Sequence, residues 1–179
     1  MPLPARDPIR HCNRCGSSIG YQVPADDNRA RALCPSCGHI QYENPINVVG
    51  TVPRLDDGRV LLCRRAIEPR RGMWTLPAGF MELGECVQTG ALRETQEEAG
   101  AEVELRALVS MISVLPVGQV HLYFAARCLS ERLDPGPETL EARFFHPHEI
   151  PWEELAFRTV RRTLEHALEG EGLLVESLR

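Results

Sequence analysis

Three glutamates, Glu94, Glu97 and Glu98, recur at i, i+3 and i+4 in the run RETQEEAG. On a helix each residue turns ~100°, so the three carboxylates project within an arc of roughly 100° and make one acidic patch. Ala91, Leu92, Thr95 and Ala99 occupy the adjoining arc and Arg93 and Gln96 lie elsewhere, so the patch borders a buried face. Clustered carboxylates repel one another at neutral pH unless something positive sits among them, and a hard cation such as Mg²⁺ accepts an oxygen-rich shell of this kind. The competing reading is a solvated, glutamate-rich helix face.

A second constellation precedes it. Cys12, Cys15, Cys34 and Cys37 form two Cys-x-x-Cys pairs, with 18 residues between Cys15 and Cys34. That spacing fits two knuckles closing on one tetrahedral Zn²⁺. Gly16 and Gly38 each follow the second Cys of a pair, where a tight knuckle needs a residue free to take positive φ. A disulfide pair and a redox site compete with zinc. An odd total of seven cysteines in a chain without a secretion signal disfavours the first, and a redox site needs only one such pair. Four thiolates complete a zinc shell, which leaves His11 and His39 as surface residues. Residues 1–44 carry five Arg against three Asp and one Glu, a net of +1, so a structural or oligomerising ribbon is expected rather than a nucleic-acid-binding one.

The elements that must position these groups follow from composition and pattern. A chain of 179 residues accommodates one well-packed core and a small satellite. Its 20 basic residues are all Arg and its 25 acidic residues set the net charge at −5, so no chain-wide positive field draws it to nucleic acid or anionic lipid. Small anionic substrates remain accessible through local arginines. No segment reaches the ~18 apolar residues of a membrane span, and a cytoplasmic protein is expected. After Pro45 the pattern becomes strand-like at 46–53 and 59–66, joined by the turn Asp56-Asp57-Gly58. A strand near 74–80, a helix over 85–99 stopped by Gly100, strands at 103–114, 119–129 and 140–145, and an amphipathic helix over 152–168 complete the reading. The fold class is α/β, a mixed sheet with two helices. The expected domains are a ribbon at 1–44, a catalytic domain at 45–172 and a tail at 173–179. Glu85, nine residues before Glu94, falls on the far side of a regular helix and can join the acidic patch only from a non-helical start.

The stretch GFMELGECVQTGALRETQEEAGA resembles the Nudix box, G-x5-E-x7-R-E-U-x-E-E-x-G-U with U aliphatic. Gly79, Glu85, Arg93, Glu94, Glu97, Glu98 and Gly100 all match, a coincidence expected in on the order of 10⁻⁶ of chains of this length. Thr95 and Ala101 depart from the pattern as small residues at U positions. The resemblance implies a Nudix-type α/β/α sandwich with a mixed sheet. It further implies that Glu94, Glu97 and Glu98 hold Mg²⁺ or Mn²⁺ with the Gly79 carbonyl, that Arg93 orients a glutamate, and that a metal-activated water attacks a diphosphate. Glu138 and Glu141, in PGPETLEARFF, are both candidates for the general base.

Beyond the box, the ribbon followed by NPINVVG, VLLCRRAIEPRRGMWTLPAGF and PGPETLEARFF looks like the zinc-ribbon Nudix group that acts on FAD and ADP-ribose. Pro116, sixteen residues after Gly100, is similar to the proline placement of ADP-ribose pyrophosphatases; loop shaping is its alternative role. NADH pyrophosphatases also join a ribbon to a Nudix domain, but the Ser-Gln-Pro-Trp-Pro motif they carry after the box has no counterpart in residues 105–120. A nucleotide-sensing regulator with a nucleic-acid-binding ribbon is the non-enzymatic alternative. Arg64 and Arg65 are candidates to clamp phosphate, and Trp74, Phe80, Tyr123 and Phe157 to stack on a base or flavin. Cys63, Cys86 and Cys128 read as small buried hydrophobes. A homodimer is expected from the resemblance.

Overall fold

The computed structural model describes residues 7–169 and 172–179, in two compact units, Met1–Pro45 and Ile46–Arg179. The first unit has little apolar mass. Strands β1 (Gly20–Gln22), β2 (Arg31–Leu33) and β3 (Ile40–Gln41) form an antiparallel sheet in that order. Its interior is Ala32, Cys12 and Cys34, each at most 3% exposed. Gly16 and Gly38 take φ of 75° and 71°, and their N–H groups donate to the Cys12 and Cys34 carbonyls at 2.8 and 2.9 Å. These are the two knuckles expected from the spacing.

The second unit is built on strands β4 (Ile46–Arg54), β5 (Val60–Arg65), β6 (Trp74–Thr75), β7 (Ala78–Phe80), β8 (Val103–Val114), β9 (Gln119–Cys128), β10 (Thr139–Phe145) and β11 (Leu174–Leu178), with helices α1 (Val87–Ala99) and α2 (Arg158–Glu169). The sheet order is β10-β5-β4-β9-β8-β11, with β6 added to β5 and β7 to β4. The pairs β4–β9 and β8–β11 are parallel and the rest antiparallel, so the sheet is mixed. Strand alternation places a helix on each face. Val49 and Leu61 turn toward Ala91 and Ala99 of α1, whereas Val52 and Leu62 turn toward Val160 and Leu164 of α2. Each such fully buried aliphatic side chain contributes about 1.5–3 kcal/mol. The result is the α/β/α sandwich.

Three local expectations are corrected. The strand read across 74–80 is two short strands, β6 and β7, because the chain crosses from the edge of β5 to the edge of β4 at Leu76 and Pro77. The final helix begins at Arg158 rather than near residue 152; Trp152–Glu154 is a 3-10 turn, and Leu155 bridges Trp74 before the helix starts. Residues 173–179, expected as a tail, contain β11, whose backbone pairs with β8 from Leu174↔Ser110 to Leu178↔Val114.

Candidate active site

Helix α1 starts one residue after Cys86, which has extended dihedrals (φ −88°, ψ 163°). That late start solves the problem of Glu85. Its carboxylate folds back, accepting the Glu82 N–H at 2.7 Å and two bonds from Arg93, Nη2 at 2.8 Å and Nε at 3.1 Å. Gly90 makes room for it, since a Cβ there would stand 2.6 Å from Glu85 Oε1 and 2.8 Å from Val49 Cγ2. Arg93 is based off the acidic arc, yet its long side chain reaches in: Nη1 donates to Glu94 at 2.7 Å and to Glu97 at 3.0 Å, and Nη2 also donates to the Phe80 carbonyl at 3.1 Å. One guanidinium therefore ties three carboxylates to the β7 backbone, the fork geometry that arginine provides.

The three helix glutamates are unequal. Glu98 is buried, with its Oε2 accepting the Ala78 N–H at 3.1 Å, and Glu94 presses its carboxylate against Gly79 so closely that no Cβ fits there. Glu97 keeps 60% of its side chain exposed. Burial pushes the Glu98 carboxyl up to about 8 and also raises Glu94; the Ala78 N–H and the Arg65 charge oppose this at Glu98, while the Glu138 charge raises both. Arg93 holds Glu85 down at about 2. Two adjacent carboxylates, held short of water and disfavoured in their charged form, are an arrangement whose charge a cation would relieve.

The C-terminal end of α1 fixes a second segment. Gly100 caps the helix in the left-handed region (φ 62°), its N–H donating to Gln96 O at 2.9 Å. Asp134 N–H donates to the Ala99 carbonyl at 2.9 Å, and Gly136 passes so near the Glu97 carbonyl that a side chain there would overlap it. The loop thus latched leads to Glu138, whose carbonyl accepts the Ala66 N–H at 2.8 Å. Glu141 faces away from α1. It stands opposite Arg64 in the β10–β5 register, 3.9 Å from the Arg64 guanidinium, and Arg64 itself donates to Gly72 O at 2.9 Å.

The aromatic candidates separate in the same way. Trp74 and Tyr123 are core residues, 6% and 2% exposed, with Trp74 edge-on to Phe145 at 4.9 Å. Phe80 is exposed beside Arg93, and Phe157 lies under Arg65. Cys63 and Cys128 are buried as expected, but Cys86 is exposed because it caps α1. Pro116 is the central residue of the 3-10 turn Leu115–Val117 between β8 and β9. Thr95 satisfies its buried hydroxyl twice, on Ala91 O at 2.8 Å and on Thr51 Oγ1 at 2.6 Å, and so packs where an aliphatic residue was expected. Gly90 and Gly136 were missed in sequence. A glycine inside a helix costs ~1 kcal/mol against alanine, which makes Gly90 a legible sign of close approach; Gly136, in a loop, gives no such sign.

In the first unit the four cysteine sulfurs lie within 4.8 Å of one another, with Cys12–Cys37 at 3.7 Å and Cys15–Cys34 at 3.5 Å, and none is in a disulfide. Tetrahedral Zn–S bonds of ~2.3 Å require sulfurs about 3.8 Å apart, so the cluster fits a closed zinc site.

Residues 45–167 match the NUDIX domain family and residues 10–43 match the Nudix N-terminal zinc-ribbon family. A crystal structure of a NUDIX hydrolase from Nitrosomonas europaea superposes with a TM-score of 0.88 at 40% identity, covering 95% of this chain and 99% of that one. An ADP-ribose pyrophosphatase of Methanocaldococcus jannaschii is 33% identical over 105 residues, 56% of this chain and 61% of its own length. The NAD-capped RNA hydrolase NudC of Pseudomonas aeruginosa is 32% identical over 152 residues, 79% of this chain and 50% of its own length. Fold and site together define a hydrolase with a carboxylate-bearing helix. The chain belongs to the Nudix hydrolase family, with the family's N-terminal zinc ribbon. No helix among the described residues is long and apolar enough to cross a membrane.

Proposed function

We propose that this enzyme cleaves the diphosphate of an ADP-linked substrate, ADP-ribose to AMP and ribose 5-phosphate or FAD to FMN and AMP. The observation that carries the hydrolytic part is the convergence of Glu94, Glu98 and Glu97 with Gly79 and Arg93 on one side of α1. The ADP-ribose pyrophosphatase similarity and the absence of the Ser-Gln-Pro-Trp-Pro motif support the substrate class.

In this reading Glu94, Glu97, Glu98 and the Gly79 carbonyl would hold Mg²⁺ or Mn²⁺, which when bound would lower the pKa of a water and neutralise phosphate charge. Arg93 keeps Glu94 and Glu97 in register with Glu85. Glu138 is the general base. It takes the proton as the water oxygen bonds to phosphorus and the anhydride P–O bond breaks, the leaving phosphate departing with the electron pair. Its charge bears on Glu94 and Glu98, whereas Glu141 is engaged with Arg64. Arg65 clamps the phosphates and exposed Phe80 borders the flanking group. Zn²⁺ on Cys12, Cys15, Cys34 and Cys37 is structural, and the enzyme is a homodimer.

The deciding experiment is a panel of FAD, ADP-ribose, NADH, NAD, diadenosine polyphosphates and nucleoside triphosphates with Mg²⁺, products resolved by chromatography and compared as kcat/KM. NADH exceeding both FAD and ADP-ribose by about tenfold or more, the scale of at least one pocket contact, moves the enzyme to the NADH pyrophosphatase alternative. Failure to turn over any diphosphate with Mg²⁺ or Mn²⁺ defeats the proposal.

A further inference from the structure

Arg65 ends β5 with its backbone bonded twice to the Gly72–Met73 segment: its N–H donates to Met73 O at 3.0 Å and its carbonyl accepts the Gly72 N–H at 2.8 Å. Its side chain is also held. Nε donates to Pro69 O at 2.8 Å, and the guanidinium carbon sits 5.2 Å from the centre of the Phe157 ring, which is partly buried against the cluster containing Val160 and Leu164. Among the described residues no hydrogen bond or ion pair uses the two terminal nitrogens, and the charge they carry is felt at Glu98. The neighbouring arginines differ. Arg93 is saturated by Glu85, Glu94, Glu97 and the Phe80 carbonyl, and Arg64 is engaged with Gly72 and Glu141. A guanidinium fixed along one edge and stacked on one face, with its terminal donors spare, is preorganised for bidentate contact with a phosphate.

We propose that Phe157 is a positioning residue: its ring holds Arg65 so that the terminal guanidinium nitrogens meet the substrate diphosphate beside the carboxylates of α1. This rests on the reading of Arg65 as the phosphate clamp. An aromatic face stabilises a stacked cation in a way an aliphatic side chain of similar bulk does not. Phe157 therefore acts on binding, and it acts through Arg65.

The test is a double-mutant cycle on the full chain with ADP-ribose and Mg²⁺, using F157A, F157L, F157Y, R65A and the pair F157A/R65A. Each variant is also titrated with ADP by calorimetry, so that the result stands whichever diphosphate is turned over fastest, and a thermal melt confirms folding. F157A and F157L are expected to raise KM and the ADP Kd roughly three- to tenfold, the scale of one cation–π contact, with kcat within about twofold; F157Y restores both. In the R65A background F157A adds nothing further. Wild-type binding by F157L shows that bulk suffices and overturns the proposal, as does a Phe157 effect that persists undiminished without Arg65. If R65A itself leaves KM and Kd unchanged, the phosphate-clamp reading fails first and is recognised separately.

Discussion

The carboxylate of Glu94 lies against the Cα of Gly79, in space that a Cβ on Gly79 would fill. Gly79 belongs to β7 and Glu94 to α1, so the contact sets the distance between the strand and the acidic face of the helix. Gly79→Ala is expected to displace Glu94 and cut kcat by about 100-fold, the cost of misplacing a reacting geometry by ~1 Å, while the sheet still forms. Turnover over a Mg²⁺ titration, with a melting curve on the same sample, checks this. Near-normal turnover at saturating Mg²⁺ shows that the contact is dispensable.

Glu98→Gln removes a buried carboxylate that burial pushes up to about 8. Its amide retains an oxygen for the Ala78 N–H but loses the charge a cation needs. Turnover should fall by roughly 10²–10⁴, several kcal/mol of transition-state stabilisation, with the metal-free melting temperature unchanged or higher. Glu97→Gln should also cripple turnover, yet leave melting unchanged because Glu97 is largely exposed. A folded variant of either kind with near-wild-type kcat would falsify the carboxylate-helix mechanism.

The sandwich and the acidic helix were legible because both are periodic. Val49 and Val52 alternate across β4, and Glu94 and Glu98 repeat at one helical turn. What stayed hidden depends on side-chain reach and on non-repeating backbone. Arg93 starts off the acidic arc and still bonds Glu94 and Glu97, because its stem is long. Glu138 and Glu141 are three residues apart and equivalent in sequence, but a register irregularity between Thr139 and Glu141 intervenes, and only the fold shows one near α1 and the other beside Arg64. Strand β11 escaped notice because its apolar residues, Leu174, Val175 and Leu178, follow no period-2 alternation, and the segment becomes a strand only where β8 supplies the pairing partner.

The four sulfurs of the ribbon are expected to hold one Zn²⁺ per chain. Elemental analysis of protein purified without chelator measures it directly. Cys15→Ser should reduce the content below about half an equivalent and expose the ribbon to proteolysis, since the unit buries too little apolar surface to stay folded unaided. Zinc-free wild-type protein with a protease-resistant ribbon would count against the site.

His121 sits buried on β9, Nε2 on Gln119 Oε1 at 2.9 Å and Nδ1 without a partner among the described residues, and burial holds its pKa down at about 4 against an ordinary 6.5. The unfolded chain therefore binds a proton between pH 6.5 and 4 that the folded chain refuses, so stability is present above pH 6.5 and is lost as pH falls toward 4. Between pH 7 and 5 this group should cost about 2 kcal/mol. Urea unfolding of His121→Gln at both pH values should show a loss smaller than wild type by that amount. Equal losses would place the acid sensitivity elsewhere.

Glu138 and Glu141 can be separated by their neighbours. Glu138→Gln should lower kcat by roughly 10²–10⁴ and remove the limb of the pH–rate profile that reports the base, because its charge bears on Glu94 and Glu98. Glu141→Gln should leave kcat within about threefold, since it gives up only a partly exposed 3.9 Å pair with Arg64, of a kind worth ~0–1 kcal/mol. The loop carrying Glu138 supplies an independent check. Gly136 passes against the Glu97 carbonyl and Asp134 N–H bonds Ala99 O, so Gly136→Ala must lift the loop from the end of α1. If Glu138 is the base, Gly136→Ala lowers kcat and adds little further loss to Glu138→Gln, whereas a loop that merely covers the helix end would give losses that multiply. A steep fall with Glu141→Gln and a mild one with Glu138→Gln would reverse the assignment.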